Sequence, residues 1–127
     1  MPNILEDIQD YVNDRGIAIV GDDSFQFSMP AKVSRGVLFR LPLTGVKIDH
    51  ELRGYFTTQI QVIVRDADYK AGGERCETLT EALTMCHRRL QNFYVDYMRP
   101  QHEPIIYPRS ESGYIEFSVN YDVRFYS

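Results

Sequence analysis

The residues of this chain that could do chemistry are three histidines, two cysteines, a glycine pair and a scatter of serines and acids. His50, His87 and His102 lie far apart, without the short spacing that brings two ligands onto one metal ion. Cys86 and His87 are adjacent. On a helix they would point about 100° apart, a poor arrangement for sharing a metal. Gly72-Gly73 runs into Glu74-Arg75, where a phosphate-binding loop needs Lys followed by Ser or Thr. Ser24, Ser34, Ser110 and Ser112 fall among turn formers and lack a nucleophile elbow. No two carboxylates are singled out as an acid/base pair. The sequence therefore offers no catalytic residue, no metal ligand set and no cofactor site.

One charged cluster stands out, Arg65-Asp66-Ala67-Asp68-Tyr69, directly after a long apolar run. Asp66 and Asp68 supply helix-capping chemistry. The cluster reads either as a solvated strand-to-helix corner or as a place where Arg65 fixes the strand end through an ion pair.

The elements around these residues are legible from periodicity. Ile4, Leu5, Ile8, Tyr11 and Val12 recur at helical spacing and Gly16 is a natural stop, which predicts a helix over 3–14. Short strands follow at 17–20, 25–29 and 36–41, with Pro42 ending the last. Residues 43–54 read as a long exposed connection. A strand over 55–65 leads to a helix over 68–91, whose stripe is Cys76, Leu79, Leu83, Cys86 and Leu90. The pair Gly72-Gly73 weakens the start of that helix. On it Cys76 and Cys86 would stand ~15 Å apart, beyond the reach of a disulfide, as reduced core thiols. After a polar connection at 98–103 come a strand at 105–107 and a strictly alternating one from Tyr114 to Tyr126. The last is ~43 Å long if straight. It must cross the domain, bend or project.

These elements predict one soluble α+β domain over 1–127, a mainly antiparallel sheet with two helices packed on one face, in the order α-β-β-β-β-α-β-β. The acidic N-terminus lacks a signal peptide and no stretch is long and apolar enough to span a membrane. A net charge of −4 is a poor basis for gripping DNA, since such affinity comes from Lys and Arg on phosphates.

The ensemble of Phe25-Gln26-Phe27-Ser28-Met29-Pro30, the strand Gly36–Leu41, the run from Gln59 through Val64-Arg65-Asp66-Ala67-Asp68-Tyr69 into a helix, and a closing strand with Asn120-Tyr121 resembles the tail terminator (minor capsid, tail-completion) proteins of long-tailed bacteriophages. The resemblance spans nearly the whole chain as an order of elements, and its sharpest part is the charged corner. It implies a virion protein of the tail or neck, assembled in the host cytoplasm, with no enzymatic activity. It implies a self-assembled hexameric ring that ends the tail tube and docks the head-side connector or stopper protein, with DNA passing through the lumen without specific binding.

A ring of identical subunits needs two different contact patches on one domain. The candidates are the loop residues Lys47, Asp49, Glu51 and Arg53, the corner residues Arg65, Asp66 and Asp68, and Glu116, Asp122 and Arg124 on the last strand. The alternatives at this point are another neck or tail protein, either head-completion or tube-like, a small ligand-binding or enzymatic α+β domain, and a DNA-binding module.

Overall fold

Two strands of twelve residues form the spine of the computed structural model, which describes residues 3–42, 45–49, 51–52 and 54–127. Strands β4 (Tyr55–Asp66) and β8 (Ile115–Tyr126) pair antiparallel along their whole length, from Tyr55 opposite Tyr126 to Asp66 opposite Ile115. The closing strand thus accommodates its length by crossing the whole domain beside a partner. Outward from β4 lie β2 (Gly36–Arg40) and then β1 (Ser24–Gln26). Outward from β8 lie β6 (Tyr94–Pro100) and then β5 (Met85–Arg89). Two short strands complete the sheet at opposite ends. β3 (Lys47–Ile48) pairs with the first residues of β4, and β7 (Ile105–Ile106) with the first half of β8. Only β1 and β2 run parallel among these pairs. The α+β class and mainly antiparallel sheet expected from the sequence are what is found.

Alternation divides the sheet into two faces. Ile60, Val62 and Val64 of β4 share one face with Phe117, Val119, Tyr121 and Val123 of β8, as the register requires. Helix α1 (Ile4–Asp14) adds Leu5, Ile8 and Val12 to that cluster, and α2 (Tyr69–Leu83) adds Cys76, Leu79 and Leu83. Both helices therefore cover the same face. Each such aliphatic or aromatic side chain contributes roughly 1.5–3 kcal/mol by leaving water.

Helix α1 begins at Asn3, whose side chain accepts the Glu6 N–H at 3.0 Å. It then ties together elements from both edges of the sheet. The Gln9 amide donates to Ser24 Oγ of β1 at 2.8 Å. The buried Asp7 carboxylate accepts the backbone N–H groups of Asn92 and Phe93, between β5 and β6, at 2.8 and 2.9 Å.

Gly72 has a role that helix propensity conceals. A Cβ there would meet Phe117 Cε1 at 2.6 Å and Asp66 Cβ at 3.0 Å. The glycine is what lets α2 lie close to β8, so it reflects close packing and not a loose helix start.

Other boundaries move from their expected places, each for a visible reason. Residues 17–20 form no strand, only an isolated bridge between Val20 and Ser24. Their backbone donors go to side chains instead, Ile19 N–H to Asp23 and Val20 N–H to Asn13. The strand expected over 25–29 stops at Gln26 because Phe27 adopts a φ of 67°. Helix α2 ends at Leu83, not 91. Its last turns carry Thr80 and Thr84, whose hydroxyls bond to the carbonyls of Cys76 and Thr80, a habit that competes with helix propagation. Met85 then enters the core as the first residue of β5. The two cysteines consequently do not share a helix: Cys76 is buried on α2 and Cys86 is exposed on β5. Strand β6, expected as helix and polar connection, escapes the period-2 signal because a register shift between Val95 and Tyr97 puts Val95 and Met98 into one core.

The face away from the helices is mostly polar. At one end a small cluster of Leu38, Ile63 and Met29 is covered by the segment around Phe25 and Val33. The rest presents Gln, Asn, Asp, Arg and Tyr side chains from β2, β4, β8 and β6.

Candidate assembly interface

Most of the charged residues expected to make subunit contacts, among those described, lie at the two ends of this polar face. At the end where β4 starts, Asp49 follows directly on β3. Its Oδ1 accepts the N–H groups of Glu51 and Leu52 at 2.9 and 3.0 Å. These bonds, first to Leu52 and then to Glu51, hold the Asp49 carboxyl below the ordinary aspartate value, with Arg124 adding to the effect. Arg124 Nη2 lies 3.3 Å from Asp49 and its Nε 3.6 Å from Asp96. Its guanidinium sits over the Tyr55 ring at 5.1 Å. Tyr55, Tyr126 and Tyr94 stack in a row across β4, β8 and β6, with centroids 4.6 and 4.8 Å apart. Lys47 and Glu51 are exposed on this hairpin. Arg53 and His50 lie outside the described residues.

At the far end of β4, Arg65 is buried and fully engaged within its own chain. Its Nε and Nη2 each lie 3.0 Å from Glu116 Oε2 on β8. Its Nη1 donates to the carbonyls of Pro30 and Val33 at 2.8 and 3.0 Å, and the Tyr114 ring lies beneath it at 4.3 Å. Of the two readings of the corner, the ion pair holds, and it also pins the loop that covers the small apolar cluster. Asp66, also buried, accepts the Asp68 N–H at 2.9 Å and faces Arg35 Nε at 3.6 Å. Asp68 caps α2, accepting the Lys70 N–H at 3.2 Å. Midway along β8, Asp122 accepts from Gln101 Nε2 at 2.6 Å. The sites named from the sequence thus divide: Lys47, Asp49, Glu51 and Arg124 belong to one end, Arg65, Asp66 and Glu116 to the other, and Asp68 and Asp122 to neither group.

Two features were not anticipated. Asp23 forms an ion pair with Arg75 of α2 and a second with Arg35 at 3.2 Å. Arg75 also donates to the Ile17 carbonyl through Nε and Nη2, at 3.1 and 2.9 Å. This network fastens the irregular 17–23 segment to the helix. Nothing in the spacing marks Arg75 as buried, since arginine is ordinarily exposed. The second feature is a set of exposed apolar side chains, Phe27, Ile105 and Tyr107. Phe27 falls within the strand expected over 25–29, and its positive φ takes it out of that alternation.

Two buried groups, Cys76 and Tyr121, hold their protons at neutral pH. Burial pushes the Cys76 thiol up to about 11. Burial also pushes Tyr121 up to about 12, against a 3.1 Å hydrogen bond with Thr80 that favours the phenolate. Among the described residues no group of three or more His, Cys, Asp or Glu could hold a metal ion, and no helix is long and apolar enough to cross a membrane.

The fold is thus a mainly antiparallel sheet with helices on one face and charged clusters at both ends of the other. The chain belongs to the bacteriophage tail terminator family, whose model matches residues 11–127. Membership makes it a structural component of the virion, in the tail or neck. A solved structure of similar fold comes from the virion of a native gene transfer agent (GTA) particle. It aligns with a TM-score of 0.70 at 9% identity, over 98% of this chain and 95% of that one. Among curated proteins, none matches the sequence.

Proposed function

We propose that this protein assembles as a hexameric ring on the head-proximal end of the tail tube, stops tube growth and presents a docking face to the head-side connector. The observation that carries this reading is the family match over 117 of the chain's residues, 11–127. The chain acts by assembly and not by catalysis. Different charged patches at the two ends of one sheet suit the head-to-tail contacts of a ring. A net charge of −4 suits a lumen that DNA traverses without adhering, because like charges repel over about a Debye length. The partners on this reading are further copies of the chain, the tail tube protein and the connector.

The test is a tube-capping assay. Tail tube protein is polymerised with and without this protein, and tube lengths are measured in electron micrographs. Added protein should halt elongation and leave a ring of density at one end. Tubes that lengthen without limit and carry no terminal density would refute the proposal.

A further inference from the structure

We propose that, within the ring just described, the β3–β4 hairpin of one copy docks in a trough on the helix-free face of the next. This inference rests on the ring reading and names its subunit contact.

The trough measures about 400 Å³ and lies between the Phe27 segment and β7. Leu38, Ile63 and Gln61 lie along its floor, and Phe27, Tyr107 and Arg40 stand around it. Phe27 is 59% exposed and Tyr107 45%, a high exposure for two aromatic side chains facing one depression. The hairpin supplies matching apolar surface, with Ile48 63% and Leu52 49% exposed. Isolated exposed apolar side chains are ordinary, but two opposed sets on one sheet are not.

Charge complementarity selects a second copy as the occupant. Arg40 donates to Gln61 Oε1 at the trough, and Gln61 in turn donates to Ser118 Oγ at 2.9 Å. Among the described residues Arg40 has no carboxylate partner, and exposed Glu51 on the hairpin has no cation partner. Docking brings Glu51 to Arg40 while Ile48 and Leu52 cover Phe27 and Tyr107. Asp49 already accepts the Glu51 and Leu52 N–H groups, so little order is lost there on binding. Geometry forbids the contact within one chain. Ile48 pairs opposite Phe56, and the trough centre at Ile63 is seven residues further along β4, ~23 Å away. Hairpin and trough are different patches at opposite ends of one strand, which suits a head-to-tail contact that closes into a ring when its rotation allows.

The experiment places Phe27→Cys and Ile48→Cys in one full-length chain that also carries Cys86→Ser. Mild oxidation of the ring should give a disulfide-linked ladder up to the full ring. A control chain with Tyr69→Cys in place of Phe27→Cys should give none. In parallel, Arg40→Glu or Glu51→Arg alone should raise the protein concentration needed for the ring about tenfold or more, and the two together should restore it. Melting temperatures of these surface variants should match the parent. A ring that yields no ladder, or a double reversal that fails to restore assembly, overturns the docking and leaves the ring reading standing. A parent protein that stays monomeric at every concentration, alone and with tail tubes, overturns both.

Discussion

Arg65 of β4 and Glu116 of β8 stand in register across the central strand pair, two guanidinium nitrogens each 3.0 Å from one carboxylate oxygen. The remaining donor of that guanidinium holds the Pro30 and Val33 carbonyls, so one side chain joins two strands and a loop. Replacing Arg65 with Met should destabilise the fold by about 2–4 kcal/mol, because two carbonyls and a carboxylate lose their charged donor. Glu116→Gln should cost about 1 kcal/mol, since Glu116 is more exposed and keeps a hydrogen bond. Urea denaturation measures both. An Arg65→Met chain as stable as the parent would show that the anchor is ornamental.

Gly72 gives a sharper test because propensity and packing disagree there. Gly to Ala in a helix gains about 1 kcal/mol on propensity alone. The new methyl at Gly72 would stand 2.6 Å from Phe117, and overpacking of that kind costs roughly 1–3 kcal/mol. Gly72→Ala should therefore destabilise, and adding Phe117→Leu should recover part of the loss. Gly73→Ala meets Phe117 only at 3.8 Å and should be neutral or stabilising. The same denaturation series read side by side decides it.

Asp7 concentrates three hydrogen bonds from the Asn92–Phe93 turn on one buried carboxylate. Asp7→Ala should lower stability by about 2–4 kcal/mol, leaving buried N–H groups without an acceptor. Hydrogen exchange of the Asn92 and Phe93 amides should accelerate locally in this variant. Unchanged exchange at these two amides would contradict the assignment.

Stability should fall at alkaline pH for a traceable reason. Cys76 rises from 9.0 to about 11 and Tyr121 from 10.0 to about 12 in the folded chain. Between the ordinary and the raised value the unfolded chain loses a proton that the folded chain keeps, so folding weakens as pH rises. The contribution is whole below pH 9, then declines by up to about 1.4 kcal/mol per pH unit per group. Denaturation midpoints from pH 8 to 11 measure this, and Tyr121→Phe should flatten the upper part of the curve.

What the sequence discloses about this fold depends on whether neighbouring strands leave period 2 intact. The strand from Ile115 to Tyr126 alternates without a fault and is found where it was expected. So is the strand from Tyr55, which differs by one residue at its end. β6 is invisible because its bulge shifts Met98 onto the same face as Val95, and the aromatic run before it continues a helical stripe by coincidence. Of the two charged clusters, the charges were legible and their company was not. Arg65 reads as a surface residue until Glu116 and two loop carbonyls are brought to it from 51, 35 and 32 residues away. Phe27 depends on a left-handed backbone that a phenylalanine does not announce.

Assembly into a ring is tested most directly by the mass of the purified protein, measured by light scattering as concentration rises, with tail tubes added at the last step. The expected result is a species of six times the 14.8 kDa protomer, seen in negative stain as a six-fold ring with an opening wide enough for duplex DNA. A single-protomer mass at every concentration, with no protein retained on the tubes, would contradict it.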